Sequence, residues 1–132
     1  MKSEKEILDM LAGQMESRIS SLEKDAEKYA KVMNDDYKSF FLLYSEDMYK
    51  VWLRLAIYRL LLEGVKSGSL DDVAHFIGFE IKHHEDDLLR GQVRSQDGNP
   101  SFNTALQLTR EVEQQMLREL KQMLATIKNE HR

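Results

Sequence analysis

The densest group of side chains that could do chemistry is the run His83-His84-Glu85-Asp86-Asp87, with Glu80 and His75 close by. Imidazoles and carboxylates together are potential metal ligands. Glu80 and His83 have the Glu-x-x-His spacing with which helical bundles hold pairs of iron ions, but such sites need a second motif and two further carboxylates. The chain contains no second Glu-x-x-His. We therefore predict a solvated polar helix face with no metal and no cofactor, and metal binding by these histidines is the alternative.

Other catalytic chemistry has little support in the sequence. The chain has no cysteine, which excludes thiol nucleophiles and cysteine-based zinc or iron–sulfur sites. It also has no Gly-x-Ser-x-Gly elbow, no His-Glu-x-x-His pair and no glycine-rich phosphate loop. We therefore predict no catalytic residues and no enzymatic activity.

Charge is concentrated in one part of the chain. The net charge is −4, and residues 67–100 carry seven acidic but only three basic groups. No dense Lys/Arg cluster is present, which argues against nucleic-acid binding. A basic protein is the partner that this charge favours. The predicted partner-facing residues are Asp71, Asp72, Glu80, Glu85, Asp86 and Asp87.

These residues must be positioned by helices, because no alternating strand pattern occurs. Ser3 and Glu6 form a capping box that predicts a first helix over 3–34. Apolar side chains then recur with a mean spacing of 3.5 residues, which is typical of a coiled coil. This heptad seam predicts a homodimer or larger oligomer. Its residues are Leu8, Ala12, Met15, Ile19, Leu22, Ala26, Tyr29 and Met33.

Three further helices are predicted, over 40–64, 70–90 and 102–129, with a loop at 91–101. The second is apolar almost all round and should lie at the centre of the bundle or of an oligomer. Gly78 marks either close helix packing or a turn in the third helix. About 31 residues of first helix would span roughly 46 Å, against about 36 Å for a compact chain of this length. We therefore predict one all-α domain, 1–132, an elongated four- to five-helix bundle.

Residues 54–79 resemble the first half of a helix-turn-helix of the arabinose-regulator type. In that family two small residues four apart let the helices cross closely, and Ala74 and Gly78 match them. The resemblance ends after Phe79, where Glu80 and the acids that follow would face phosphates instead of basic, base-reading groups. It implies a helix-turn-helix fold that does not bind DNA, and a transcription regulator is the alternative.

The sequence therefore predicts a small non-enzymatic protein that acts through protein–protein contact. An acidic inhibitor, or an immunity or anti-defence protein, is a concrete form of this hypothesis. The charged N-terminal residues and the absence of cysteine predict a cytoplasmic protein. Charged residues interrupt the most apolar stretch, 40–65, so we predict no membrane span.

Overall fold

The structure is a computed structural model that describes residues 2–93 and 99–130; for residues 91–93 it describes the backbone alone. It contains five helices and, within those residues, no strand, which confirms the all-α prediction. The helices are α1 Glu4–Asp35, α2 Tyr37–Leu43, α3 Ser45–Ser67, α4 Leu70–Val93 and α5 Pro100–Glu130. The predicted loop 91–101 is shorter than expected, because residues 91–93 belong to α4 and residues 100–101 to α5, while residues 94–98 lie outside the described residues.

Local capping explains where the helices begin. The Ser3 hydroxyl accepts from the Glu6 N–H at 3.2 Å and starts α1. Ser69 and Asp72 cap α4 reciprocally, each accepting a backbone N–H of the other at 3.2 and 3.3 Å. Both starts agree with the sequence prediction, because a cap depends only on residues three positions apart.

The predicted second helix, 40–64, is instead two helices. The Asp36 carboxylate accepts from the backbone N–H and the hydroxyl of Ser39 at 3.2 and 2.6 Å, and so starts α2 at Tyr37. Tyr44 leaves helical geometry, with φ −127° and ψ −5°, and separates α2 from α3. The second helical segment therefore begins earlier than predicted and is interrupted at Tyr44.

The four long helices form an elongated up-and-down bundle. Ion pairs Glu23–Arg59 and Glu16–Lys66, both at 3.2 Å, join α1 to an antiparallel α3. Lys50–Glu111 at 2.7 Å and Tyr49–Thr109 at 3.2 Å join α3 to a parallel α5. One end of the bundle brings together Lys2 and Glu130, 3.7 Å apart. The opposite end holds α2 and the start of α5.

A single apolar core runs along the bundle, and every long helix contributes to it. Its buried residues are Ile7, Leu11 and Met15 from α1; Tyr58, Leu61 and Val65 from α3; Leu70, Val73 and Ile77 from α4; and Val112, Met116, Leu120, Met123 and Ile127 from α5. The 32 residues of α1 therefore lie along other helices of the same chain. None of the described helices has the length and apolar character of a membrane span.

Candidate functional site

The inward stripe of α4 changes from apolar to ionisable halfway along the helix. Leu70, Val73 and Ile77 are at most 2% exposed and belong to the core. At the same spacing of three and four residues the stripe continues as Glu80, His84 and Asp87. Glu80 and His84 are still buried, at 9% and 6% exposure. The core therefore ends in a buried polar cluster, which we call the His84 cluster and define as Glu80, His84, Asp87 and Glu113.

His84 lies between two buried carboxylates. Its Nδ1 is 2.9 Å from Glu113 Oε2 on α5, a hydrogen bond that joins the two helices. On the other side of the ring, Nε2 is 3.8 Å from Glu80 Oε2, which is too long for a hydrogen bond. Nε2 is buried and has no hydrogen-bond partner among the residues that the structure describes. Since buried polar atoms are normally paired, this nitrogen requires an explanation.

Asp87 forms the outer edge of the His84 cluster. One ligand atom each from His84, Asp87 and Glu113 can be chosen so that all lie within 4.8 Å of one another. The Asp87 side chain is 32% exposed and also lies 3.4 Å from His83 Nε2 and 3.8 Å from Arg90 Nη1. The cluster thus opens toward solvent on the Asp87 side.

The Glu-x-x-His spacing falls on the exposed histidine of the pair rather than on the buried one, and Glu113 was not among the predicted site residues. His83 has the Glu-x-x-His spacing, but its side chain is 54% exposed, whereas His84 points inward. Glu113 is 8% exposed. A signal for it was present, because leucines stand at positions 106, 117, 120 and 124, so that a carboxylate interrupts an apolar helix face.

The predicted acidic partner surface does not form one face. Glu80 is buried, so its assignment to a partner-facing surface is wrong. Asp71 and Asp72 are exposed at the start of α4, and about 20 Å of helix separates them from the acids of residues 85–87. In that second group Glu85 is exposed and lies 3.8 Å from Lys121, while Asp86 and Asp87 are half-buried. A basic partner at these positions stays a prediction.

The heptad seam of α1 packs largely inside the chain. Met15 is 2% exposed in the core, so it is not available to a second copy. Leu8, Ala12, Ile19 and Leu22 pack against the same core from half-buried positions. Further along, Tyr29 stacks on Tyr44 with ring centroids 5.3 Å apart, and Ala26 and Met33 are half-buried. Assembly through this seam stays a prediction, with little of the seam left free for it.

The helix-turn-helix geometry is absent. α4 continues through Gly78 without interruption and ends at Val93, so the turn that a regulator needs there does not exist. One inward stripe runs along α4, with Val73 and Ile77 in its apolar half and Glu80 and His84 in its polar half. His84 holds this single helix against α5 through Glu113. Of the two interpretations of Gly78, the turn is therefore wrong and the predicted helix over 70–90 continues through it, so the transcription-regulator alternative lacks the turn on which it depends.

Four large exposed apolar residues lie close together on α2. Tyr37, Phe41, Leu42 and Leu43 are 60–67% exposed, and the Tyr37 and Phe41 rings stack 6.5 Å apart. Phe41 and Leu42 also line a groove of about 450 Å³ between α2 and the start of α5. Phe102, in the first turn of α5, is 41% exposed. We call these five residues the α2 surface.

Comparison of the chain with protein-family models, with curated proteins and with solved structures finds no match, so its function has to be argued from the His84 cluster and the α2 surface.

Proposed function

We propose that this protein acts by protein–protein contact in the cytoplasm and forms a homodimer through the α2 surface. The observation that supports the proposal is the exposure of four large apolar side chains within the seven residues of α2. Solvent exposure of such a group is costly, and contiguous exposed apolar patches commonly mark protein interfaces. Leu43 alone, at 66% exposed, leaves most of its apolar surface in water.

The chemistry of the α2 surface favours a second copy of the chain as its partner. Among the residues that line the groove, Glu46 is the only charged one, and the others are apolar or carry hydroxyl groups. A groove with so little charge fits another surface with little charge, because desolvating an unpaired charge would oppose binding. In a two-fold dimer each copy offers the same patch to the other, which satisfies this requirement.

The test is sedimentation equilibrium of the wild type and of Phe41→Glu and Leu42→Glu at micromolar concentrations. We expect the wild type to dimerise and each variant to dissociate at least tenfold more readily, because a buried carboxylate without a partner is strongly unfavourable at an interface. Both side chains are exposed in the single chain, so the fold should persist, as circular dichroism would show.

Phe79→Glu is the matched control. Phe79 is 68% exposed on α4 and does not belong to the α2 surface, so its replacement should leave the dimer intact. A wild type that is monomeric throughout, or a Phe41→Glu dimer as stable as the wild type, would contradict the proposal.

A second form of the same contact function is inhibition of a basic protein. It is supported by the exposed carboxylates of Asp71, Asp72 and Glu85. This form uses α4 rather than α2, so the dimer and the acidic contact are compatible with each other.

A further inference from the structure

We propose that His84, Asp87 and Glu113 form a binding site for a divalent transition-metal ion, with Zn²⁺ as the best fit. The inference is independent of the proposed dimer, because none of these residues belongs to the α2 surface. It starts from the unpaired, buried Nε2 of His84 and from the three ionisable residues that continue an apolar stripe.

The three ligands come from two helices and already lie close together. His84 and Asp87 are three residues apart on α4 and share one helix face, and Glu113 faces them from α5. His84 Nδ1 and Glu113 Oε2 are 2.9 Å apart, and the three ligand atoms all lie within 4.8 Å of one another. Two ligand atoms on a tetrahedral zinc ion are about 3.3 Å apart, so the atoms present differ from zinc geometry by little. Side-chain rotation is enough to close this difference, since within the described part of the chain the ion pairs of Asp87 are those with the exposed His83 and Arg90.

Glu80 supplies the support that a metal-bound histidine normally has. Such a histidine donates its second ring N–H to a carboxylate or carbonyl, which orients the ring. If Nδ1 binds the ion, Nε2 carries the hydrogen and faces Glu80 Oε2, now 3.8 Å away. A small movement of the Glu80 side chain then makes the hydrogen bond that Nε2 lacks. The buried Glu80 and the unpaired Nε2 thus have one common explanation.

The ligand chemistry selects the class of metal. Two carboxylates balance the charge of a divalent ion, and an imidazole nitrogen favours zinc and other transition metals over magnesium and calcium. Three protein ligands leave a fourth position for water, and the half-exposed Asp87 provides a path of entry. The competing interpretation is a structural polar cluster without a metal, in which His84 is held between the carboxylates of Glu80 and Glu113.

The experiment titrates Zn²⁺ into the full chain by calorimetry and measures thermal unfolding with and without Zn²⁺. We expect one ion per chain and a higher Tm when zinc is present, because a ligand that binds only the folded state stabilises it. Asp87→Asn should weaken zinc binding at least tenfold, and Glu80→Gln by tenfold to a hundredfold, as a supporting residue would. Asp87→Asn changes a half-exposed side chain, so the fold should survive even if a variant at His84 unfolds.

His75→Ala is the matched control for adventitious binding. His75 lies on the same helix, has a carboxylate at i−4 in Asp71, and is 81% exposed. Its replacement should leave the stoichiometry, the affinity and the zinc-dependent Tm unchanged. The proposal is overturned if the wild type binds no zinc, or if binding is lost in His75→Ala and retained in Asp87→Asn. An unchanged affinity in Asp87→Asn would also reject it and leave the charge cluster as the interpretation.

Discussion

At the scale of single residues, Tyr58 joins three helices through one hydrogen-bonding group. Its hydroxyl donates to the Glu119 carboxylate on α5, and Arg18 on α1 contacts both side chains. Burial and the hydrogen bond to Glu119 raise the pKa of Tyr58 from 10.0 to about 12. The protonated hydroxyl therefore contributes stability that is fully present below pH 10 and is lost as the pH rises toward 12.

We expect the free energy of unfolding to fall by about 2 kcal/mol over this alkaline range through Tyr58 alone. Urea unfolding of the wild type and of Tyr58→Phe, followed as the pH is raised, measures the effect. The variant should be less stable near neutral pH and should lose less stability above pH 10, because it has no hydroxyl to ionise. An equal alkaline loss in both proteins would show that Tyr58 is not responsible.

At the scale of elements, two glycines stand inside helices without serving a turn. Among the described residues, no atom other than those of the chain neighbours and the local helix backbone lies within 4 Å of a Cβ placed at Gly13 or Gly78. α1 and α4 continue through these positions as uninterrupted helices, as the predicted helices 3–34 and 70–90 required. We therefore expect Gly13→Ala and Gly78→Ala each to stabilise the protein by about 0.5–1 kcal/mol. Urea unfolding would measure the change in stability. A Gly78→Ala variant less stable than the wild type would contradict the expectation and favour a turn at Gly78.

Gly64 is the contrasting control for these substitutions. A Cβ there would lie 2.9 Å from Cε1 of Phe76, so the ring must move and the gain in helix propensity is offset. Gly64→Ala should therefore stabilise the protein less than either other variant, or destabilise it. The sequence shows the same residue type at all three positions, and only the packing of α3 against α4 distinguishes them.

At the scale of the whole molecule, α1 sets the length of the bundle. Its 32 residues span about 48 Å and lie alongside α3 and α5. We expect small-angle X-ray scattering of the monomeric Phe41→Glu variant to give a maximum dimension of at least 48 Å, compared with about 36 Å for a sphere of this chain length. A smaller value would mean that α1 is bent or broken in solution.

The sequence by itself determined the helical class and two of the helix starts. Ser3 and Ser69 cap helices through neighbours three residues away, and long apolar periodicity then leaves few alternatives to a bundle. Asp36 starts α2 in the same local way, although the second helix was predicted to begin only at residue 40.

Only the tertiary structure decided which side chains meet. Neighbouring residues on a helix point about 100° apart, so the rotation of α4 against α5 puts His84 inside and His83 outside. The same packing buries Glu80, so that a partner protein cannot reach it, and brings Glu113 to His84 from 29 residues further along the chain. Local sequence sets where a helix begins, whereas its rotation depends on the shapes of the helices packed against it, and that rotation decides the chemistry of the site.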